Sequence, residues 1–233
     1  MIKALLGAGA SAAAVAHAVP ALAPIVRGLG PALGIEMRQV EAEGVVLTFD
    51  DGPHPQGTPA VLETLRERGA TATFFLAGEQ VARRPALVAE IVAAGHAVEL
   101  HCHRHRNLLR LSPSAFLEDA ERARAVIEDA GGQAISAYRP PYGIFSASTL
   151  RAVRRRGWRP VLWSRWGRDW DRCATAESIT RRASAGIAAG DIVLLHDADY
   201  YSARGSWVRT AAALPLILDE IEACGLKTAS LRR

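Results

Sequence analysis

The chain has 233 residues, 49% of them hydrophobic and 22% charged, which excludes an intrinsically disordered protein and leaves enough apolar mass for one sizeable core. Its net charge of +4, from 28 basic and 24 acidic residues, could attract an anionic partner. However, arginines such as Arg154, Arg155 and Arg156 fall on an expected helix with no interleaved aromatic ladder, which argues against nucleic acid. Three cysteines, Cys102, Cys173 and Cys224, with no Cys-x-x-Cys pair, exclude a disulfide framework and a thiolate zinc knuckle and leave room for one bridge at most.

Residues 1–40 form an Ala-rich N-terminal segment. Lys3 precedes an apolar stretch over 4–16, and Ala16-His17-Ala18 has the small-x-small pattern of a cleavage site. A signal peptide or an uncleaved anchor is the expectation, with an Ala-rich helix packed on the domain as the alternative. The stretch is too short and too rich in Ala and Gly for a transmembrane helix.

From residue 41 to 233 short apolar runs alternate with helical ones in a single domain. A buried strand is expected at 45–49, then a helix that starts at Thr58-Pro59 and stops at Gly69. A strand at 73–76 precedes a helix over 79–94 ended by Gly95. A strand at 98–101 is followed by a helix from Ser112-Pro113 to Gly131. A short strand at Tyr138 leads to a helix from Ser146 to Gly157. Strand 161–163, a helix after Thr175, strand 192–196, a helix before Gly225 and a last strand near Leu226 complete the order. Roughly seven βα units favour an α/β, barrel-like parallel sheet.

Polar clusters recur where these strands end, and strand carboxyl ends converge on one mouth in such barrels. Asp50-Asp51-Gly52-Pro53 sets two carboxylates side by side; close carboxylates need a cation or a shared proton. In His101-Cys102-His103-Arg104-His105, the four-residue spacing of His101 and His105 would put both imidazoles on one face of a helical turn. Two imidazoles with Asp51 as the available carboxylate describe a hydrolytic zinc site, and His103 could replace one ligand. Arg139-Pro140-Pro141-Tyr142-Gly143 is rigid; its first free amide donor is Tyr142 N–H, and the Arg139 guanidinium could hold Asp50 in a bidentate grip. His196, closing an apolar strand, is a candidate acid or base. Asp169-Trp170 lies in a Trp-rich stretch with Trp163 and Trp166, where aromatic faces could stack on sugar rings and at least one Trp should be core.

Taken together, Thr48-Phe49-Asp50-Asp51-Gly52-Pro53, His101-x-x-x-His105, Arg139-Pro140-Pro141-Tyr142, Asp169-Trp170 and Leu194-Leu195-His196 resemble, in order, the five motifs of the polysaccharide deacetylases, the NodB-homology group also called carbohydrate esterase family 4. The resemblance spans about residues 44–231 and implies a distorted (β/α)7-type barrel with one divalent metal, zinc first, with cobalt and nickel as alternatives. It implies Asp51, His101 and His105 as metal ligands, Asp50 as general base held by Arg139, and Tyr142 N–H at the oxyanion. His196 would be the general acid tuned by Asp169, and Tyr142 and Trp170 would touch substrate. The expected partner is an acetylated polysaccharide or oligosaccharide, with no nucleic acid and no obligatory protein partner; export or association with the cell envelope is expected, with the cytoplasm as the alternative. An O-acetyl esterase acting on a polymer such as xylan, a sugar deformylase and a non-catalytic carbohydrate-binding barrel are the competing functions. Two positions depart from the family pattern. Cys102 stands where a Ser or Thr hydroxyl braces the loop, and Trp166 stands where an acidic residue is frequent.

Overall fold

The computed structural model describes residues 14–232; the expected export segment up to residue 13 lies outside the described residues, and 14–18 are helical. Among the described residues no helix is long and apolar enough to cross a membrane. After two short helical turns, Val19–Leu22 and Leu29–Ala32, the chain enters the repeats. They run β1 Val45–Asp50, α1 Gly57–Glu67, β2 Thr73–Ala77, α2 Gly78–Arg83, α3 Pro85–Ala93, β3 Ala97–Cys102 and α4 Pro113–Gly131. Then come β4 Ala137–Tyr138, α5 Ala147–Arg155, β5 Arg159–Pro160, β6 Arg165–Trp166, α6 Ala176–Ser184, β7 Ile192–His196, α7 Ser206–Ala223 and β8 Thr228–Ala229.

Every ladder between these strands is parallel, in the order β5-β4-β3-β2-β1-β7-β6 with β8 beside β1. Strands β1, β2 and β3 are buried along their whole length, as expected where helices cover the outside of a parallel sheet. The sheet curls because one stretch of chain serves both of its ends. Arg159–Pro160 pairs with β4, and seven residues further on Trp166 pairs with β7. Between them Val161 bridges Glu36, and Leu162 N donates to Glu36 O at 2.8 Å. A segment preceding β1 thus patches the wall of the distorted (β/α)7-type barrel.

Local chemistry sets the helix starts. Ser112, Ser146 and Thr175 each accept a hydrogen bond from a first-turn amide of α4, α5 and α6, as the sequence led one to expect. Three expectations need correction. The helix expected over 79–94 is two, α2 and α3, broken at Arg84 (φ −146°, ψ 58°), because the ring of Pro85 bars a helical conformation in the residue before it. The strand expected at 161–163 is displaced to the flanking pairs β5 and β6, since 161–163 is where the stretch changes partners. The last strand lies at Thr228–Ala229 rather than at Leu226.

Candidate active site

At the carboxyl end of β1 two consecutive aspartates reach the same cavity. Asp50 ends the strand, and Asp51 adopts φ +78°. That left-handed conformation turns the chain, so that neighbouring side chains, which would point to opposite faces of a strand, converge. Gly52 follows because a Cβ there would lie 2.6 Å from both carboxylate oxygens of Asp197.

Arg139, fully buried, donates from Nη1 to Asp50 Oδ1 (2.7 Å) and Thr48 Oγ1 (2.8 Å) and from Nη2 to Leu162 O (3.0 Å). Its guanidinium carbon lies 4.0 Å from the centroid of the Phe75 ring. The grip on Asp50 is therefore single rather than bidentate, because the fork is shared with Thr48 and a carbonyl. It still gives a buried carboxylate a charged donor, and leaves Asp50 Oδ2 to the cavity side.

His101 is the penultimate residue of β3, and its Nδ1 is 2.8 Å from Arg139 O. A carbonyl only accepts, so Nδ1 carries the proton and Nε2 is the atom facing Asp51 Oδ1 at 3.3 Å. His105 Nε2 is 3.5 Å from the same oxygen. The expected helical turn is absent: His103 and Arg104 form a bend and residues 105–107 have no regular structure. The loop is returned to the site by Asp119 of α4, whose carboxylate accepts from His103 N (2.8 Å), Arg104 N (3.3 Å) and Arg106 Nη2 (2.7 Å). Asp119 therefore braces this loop, while Cys102 is a buried thiol pushed well up by burial and by surrounding carboxylates, Asp51 first among them. All three cysteines are free.

Asp51, His101 and His105 each offer a ligand atom, and these atoms lie within 4.8 Å of one another. Asp51 Oδ1 is buried with no hydrogen-bond partner. A lone carboxylate oxygen facing two imidazole nitrogens, one of them bare when its ring is neutral, is the arrangement a divalent cation satisfies. Burial would raise the Asp51 carboxyl, but the contact with His101 and the charges of His196, His101 and His105 outweigh it and hold it at about 2. Burial takes the His105 imidazole down to about 4, so at neutral pH it offers a lone pair. His103 is not in this group; its ring packs against Gly78, where a Cβ would meet Nδ1 at 2.7 Å.

Facing this group, His196 sits at the end of β7 with Nδ1 2.9 Å from Asp169 Oδ1, while its own amide donates to Asp169 Oδ2 at 2.7 Å. Asp169 is fully buried and also accepts from Thr210 Oγ1 at 2.8 Å. Burial disfavours the imidazolium, yet the charge and hydrogen bond of Asp169, reinforced by Asp51 and Asp50, raise it to about 10. At neutral pH one ring therefore holds a proton while another, His105, does not.

A family profile described as Polysaccharide deacetylase matches residues 38–161. The chain belongs to the polysaccharide deacetylase family. As such it is a hydrolase of carbon–nitrogen bonds other than peptide bonds. It is 34% identical over 204 residues to the chitooligosaccharide deacetylase of Azorhizobium caulinodans, covering 84% of this chain and 95% of the relative. The crystal structure of a peptidoglycan N-acetylglucosamine deacetylase superposes with a TM-score of 0.77 at 27% identity, covering 83% of this chain and 88% of that one. A CE4 family pseudoenzyme from Bacillus anthracis matches with a TM-score of 0.73 at 25% identity, covering 82% of this chain and 64% of that one. Likeness within this polysaccharide deacetylase fold therefore does not by itself carry activity; the side chains in the mouth do.

In this member of the family the mouth is a cavity of about 330 Å³ lined by Asp50, Asp51, His101, His105, Tyr142 and His196, with Trp163, Trp166, Trp170 and Tyr201 in its wall. All the metal-ligand candidates, both proton-transfer candidates and both substrate-contact candidates thus meet in one place; Arg139 and Asp169 lie behind it, hydrogen-bonded to Asp50 and His196. Tyr142 takes φ +60°, the second non-glycine left-handed residue of the site. The turn around it is closed by Gly143 N and Ile144 N, and the exposed Tyr142 ring stands at the rim. Trp163 is the core tryptophan of its cluster, at 6% exposure. Tyr201 and Ser202 were missed in the sequence, where Asp199-Tyr200-Tyr201-Ser202 reads as an ordinary loop; only its position directly after the His196 strand pointed to the mouth.

Proposed function

We propose that this deacetylase removes N-acetyl groups from a glycan containing N-acetylglucosamine, of the chitin or peptidoglycan kind, using one divalent metal held by Asp51, His101 and His105. The observation that carries the reading is the presence, around a single cavity, of a metal-ligand triad, an Arg-held carboxylate and a protonated histidine. With two nitrogen donors and one oxygen donor the set suits zinc best, with cobalt or nickel as substitutes. When bound, the metal supplies Lewis acidity toward the acetamide carbonyl and toward water.

The chain's own residues do the rest. Asp50, held by Arg139, accepts a proton from the attacking water at its cavity-side oxygen. Tyr142 N–H, unused by its own turn, donates to the oxygen that becomes negative as the carbonyl carbon turns tetrahedral. His196 delivers its proton to the sugar nitrogen as the C–N bond breaks, so acetate and a free amine leave. Asp169 keeps that imidazole charged and fixes its orientation. The aromatic wall, Trp170 with Tyr142, presents apolar faces to the sugar. The relatives' names give chitooligosaccharides and peptidoglycan as substrates, and a peptidoglycan substrate favours a cell-envelope location for this chain.

The test is acetate release from N-acetylated chitin oligomers and from peptidoglycan, beside acetylated xylan, with and without prior chelation. Turnover of an N-acetylated glycan that disappears on chelation and returns with zinc supports the reading. Turnover of the xylan ester alone would replace it with an esterase, and binding without turnover on any of the three would make the chain a carbohydrate-binding barrel.

A further inference from the structure

A metal-bound histidine is ordinarily oriented by a hydrogen bond from its other ring nitrogen to a carboxylate or carbonyl. His101 follows that rule through Arg139 O at 2.8 Å. His105 does not: its Nδ1 is buried and has no hydrogen-bond partner. What holds this ring is aromatic. The Tyr201 ring stacks on it with centroids 4.3 Å apart and planes inclined by 11°, and the Tyr142 ring meets it edge-on at 4.4 Å. Tyr142 is 57% exposed, a weak support for another side chain. Tyr201 is fixed from behind: its hydroxyl donates to Glu79 Oε1 and accepts from Gln80 Nε2 at 3.3 Å, both on the first turn of α2. Burial and Glu79 push the phenol well up, so it remains the donor.

We infer that Tyr201 is the positioning residue for His105, replacing with ring stacking the hydrogen bond that its Nδ1 lacks, and so sets metal affinity from the loop that follows His196. Tyr201 is delivered by the loop after β7 and His105 by the loop after β3, so the contact ties the acid side of the cavity to the metal side. Because the inference rests on the proposed role of His105 as a ligand, that role is measured alongside it.

The experiment determines dissociation constants for zinc and cobalt by competition with a chromophoric chelator. The proteins are the wild type, Tyr201→Phe, Tyr201→Leu, Tyr201→Ala and His105→Ala, each checked by circular dichroism and followed by the visible spectrum of the cobalt form. Tyr201→Phe keeps the stacked ring and should bind within a few-fold of wild type. Tyr201→Ala and Tyr201→Leu should bind roughly 10–100-fold more weakly, the usual cost of losing a ligand's supporting contact, with altered cobalt spectra. The leucine keeps bulk at the position, so weakening in a folded Tyr201→Leu separates loss of the planar face from loss of packing. Wild-type affinity and spectrum in both Tyr201→Leu and Tyr201→Ala, with His105→Ala weakened, would overturn the inference and leave the ligand role standing. Wild-type affinity in His105→Ala would remove the ligand role itself.

Discussion

Asp50 and His196 are register partners, the last residues of the neighbouring parallel strands β1 and β7. Side chains at paired positions of a parallel ladder leave the sheet at the same height and toward the same side. The proposed base and acid therefore stand level at the mouth, each backed by its own buried partner: Arg139 behind Asp50 at 2.7 Å and Asp169 behind His196 at 2.9 Å. The symmetry is chemical as well as spatial, for one partner is a cation paired with a carboxylate and the other an anion that keeps an imidazole protonated.

Removing Asp169's charge should move the alkaline edge of activity. His196 must be protonated to act as an acid, and its value of about 10 keeps it so through neutral pH. In Asp169→Asn the chief raising influence is gone and burial, which lowers it, is opposed only by Asp51 and Asp50. The alkaline limb of kcat against pH should fall toward the ordinary imidazole range near about 6.5. An unshifted limb in the variant would show that another group sets it.

The same pair has a consequence for stability. Because the folded-state value lies above the ordinary one, protonated His196 contributes stability that is fully present below about pH 6.5 and is lost as pH rises through about 10. Thermal melts of the wild type should decline over that interval, and melts of His196→Gln should decline less; parallel curves would rule the pair out as the cause.

His196→Ala should lower turnover by roughly 10²–10⁴-fold, the range for a positioned acid, with metal content unchanged, since His196 is outside the Asp51, His101 and His105 group. Metal analysis beside acetate-release rates checks both halves, and a metal-poor variant would make His196 a ligand.

Asp50→Asn and Asp51→Asn should separate the two aspartates. The first should hold metal and hardly turn over; the second should bind metal weakly and recover in part when zinc is added in excess. If the rescue belongs to Asp50→Asn, the roles are reversed.

Arg139→Met leaves Asp50 as a buried carboxylate without its cation, a loss of about 3–5 kcal/mol for a broken buried pair. For a chain of this size that corresponds to a fall in Tm of roughly 6–20 °C. A melt within about 2 °C of wild type would mean that water or Thr48 replaces the guanidinium.

Much of the site was legible because each motif is a few consecutive residues at a strand end, and the alternation of apolar and helical runs located those ends. Other features depended on folding. His101 and His105 are four apart in sequence, but their convergence is the work of Asp119, fourteen residues after His105 and hydrogen-bonded to the loop. Tyr201 and Glu79 are 122 residues apart and carry no pattern that joins them. Pro85, by contrast, was in plain view: the helix break before it follows from its ring, and the apolar periodicity on either side concealed it. That both aspartates reach one cavity depends on a single backbone angle at Asp51, which no side-chain pattern encodes.

The wall closed by residues 159–166 has a practical bearing on how the protein can be cut down. Arg159 Nη1 holds the Glu36 carboxylate at 2.9 and 3.1 Å, and Arg38 Nη1 reaches the buried Asp191 at 2.5 Å. A recombinant version trimmed to begin at residue 41 would lack Glu36 from the first pair and Arg38 from the second, together with the backbone edge that Leu162 uses. The exposed seam would run directly beneath Trp163 and Trp166, so a trimmed version would reveal its defect first in the tryptophan fluorescence of the cavity wall and only afterwards in its helices.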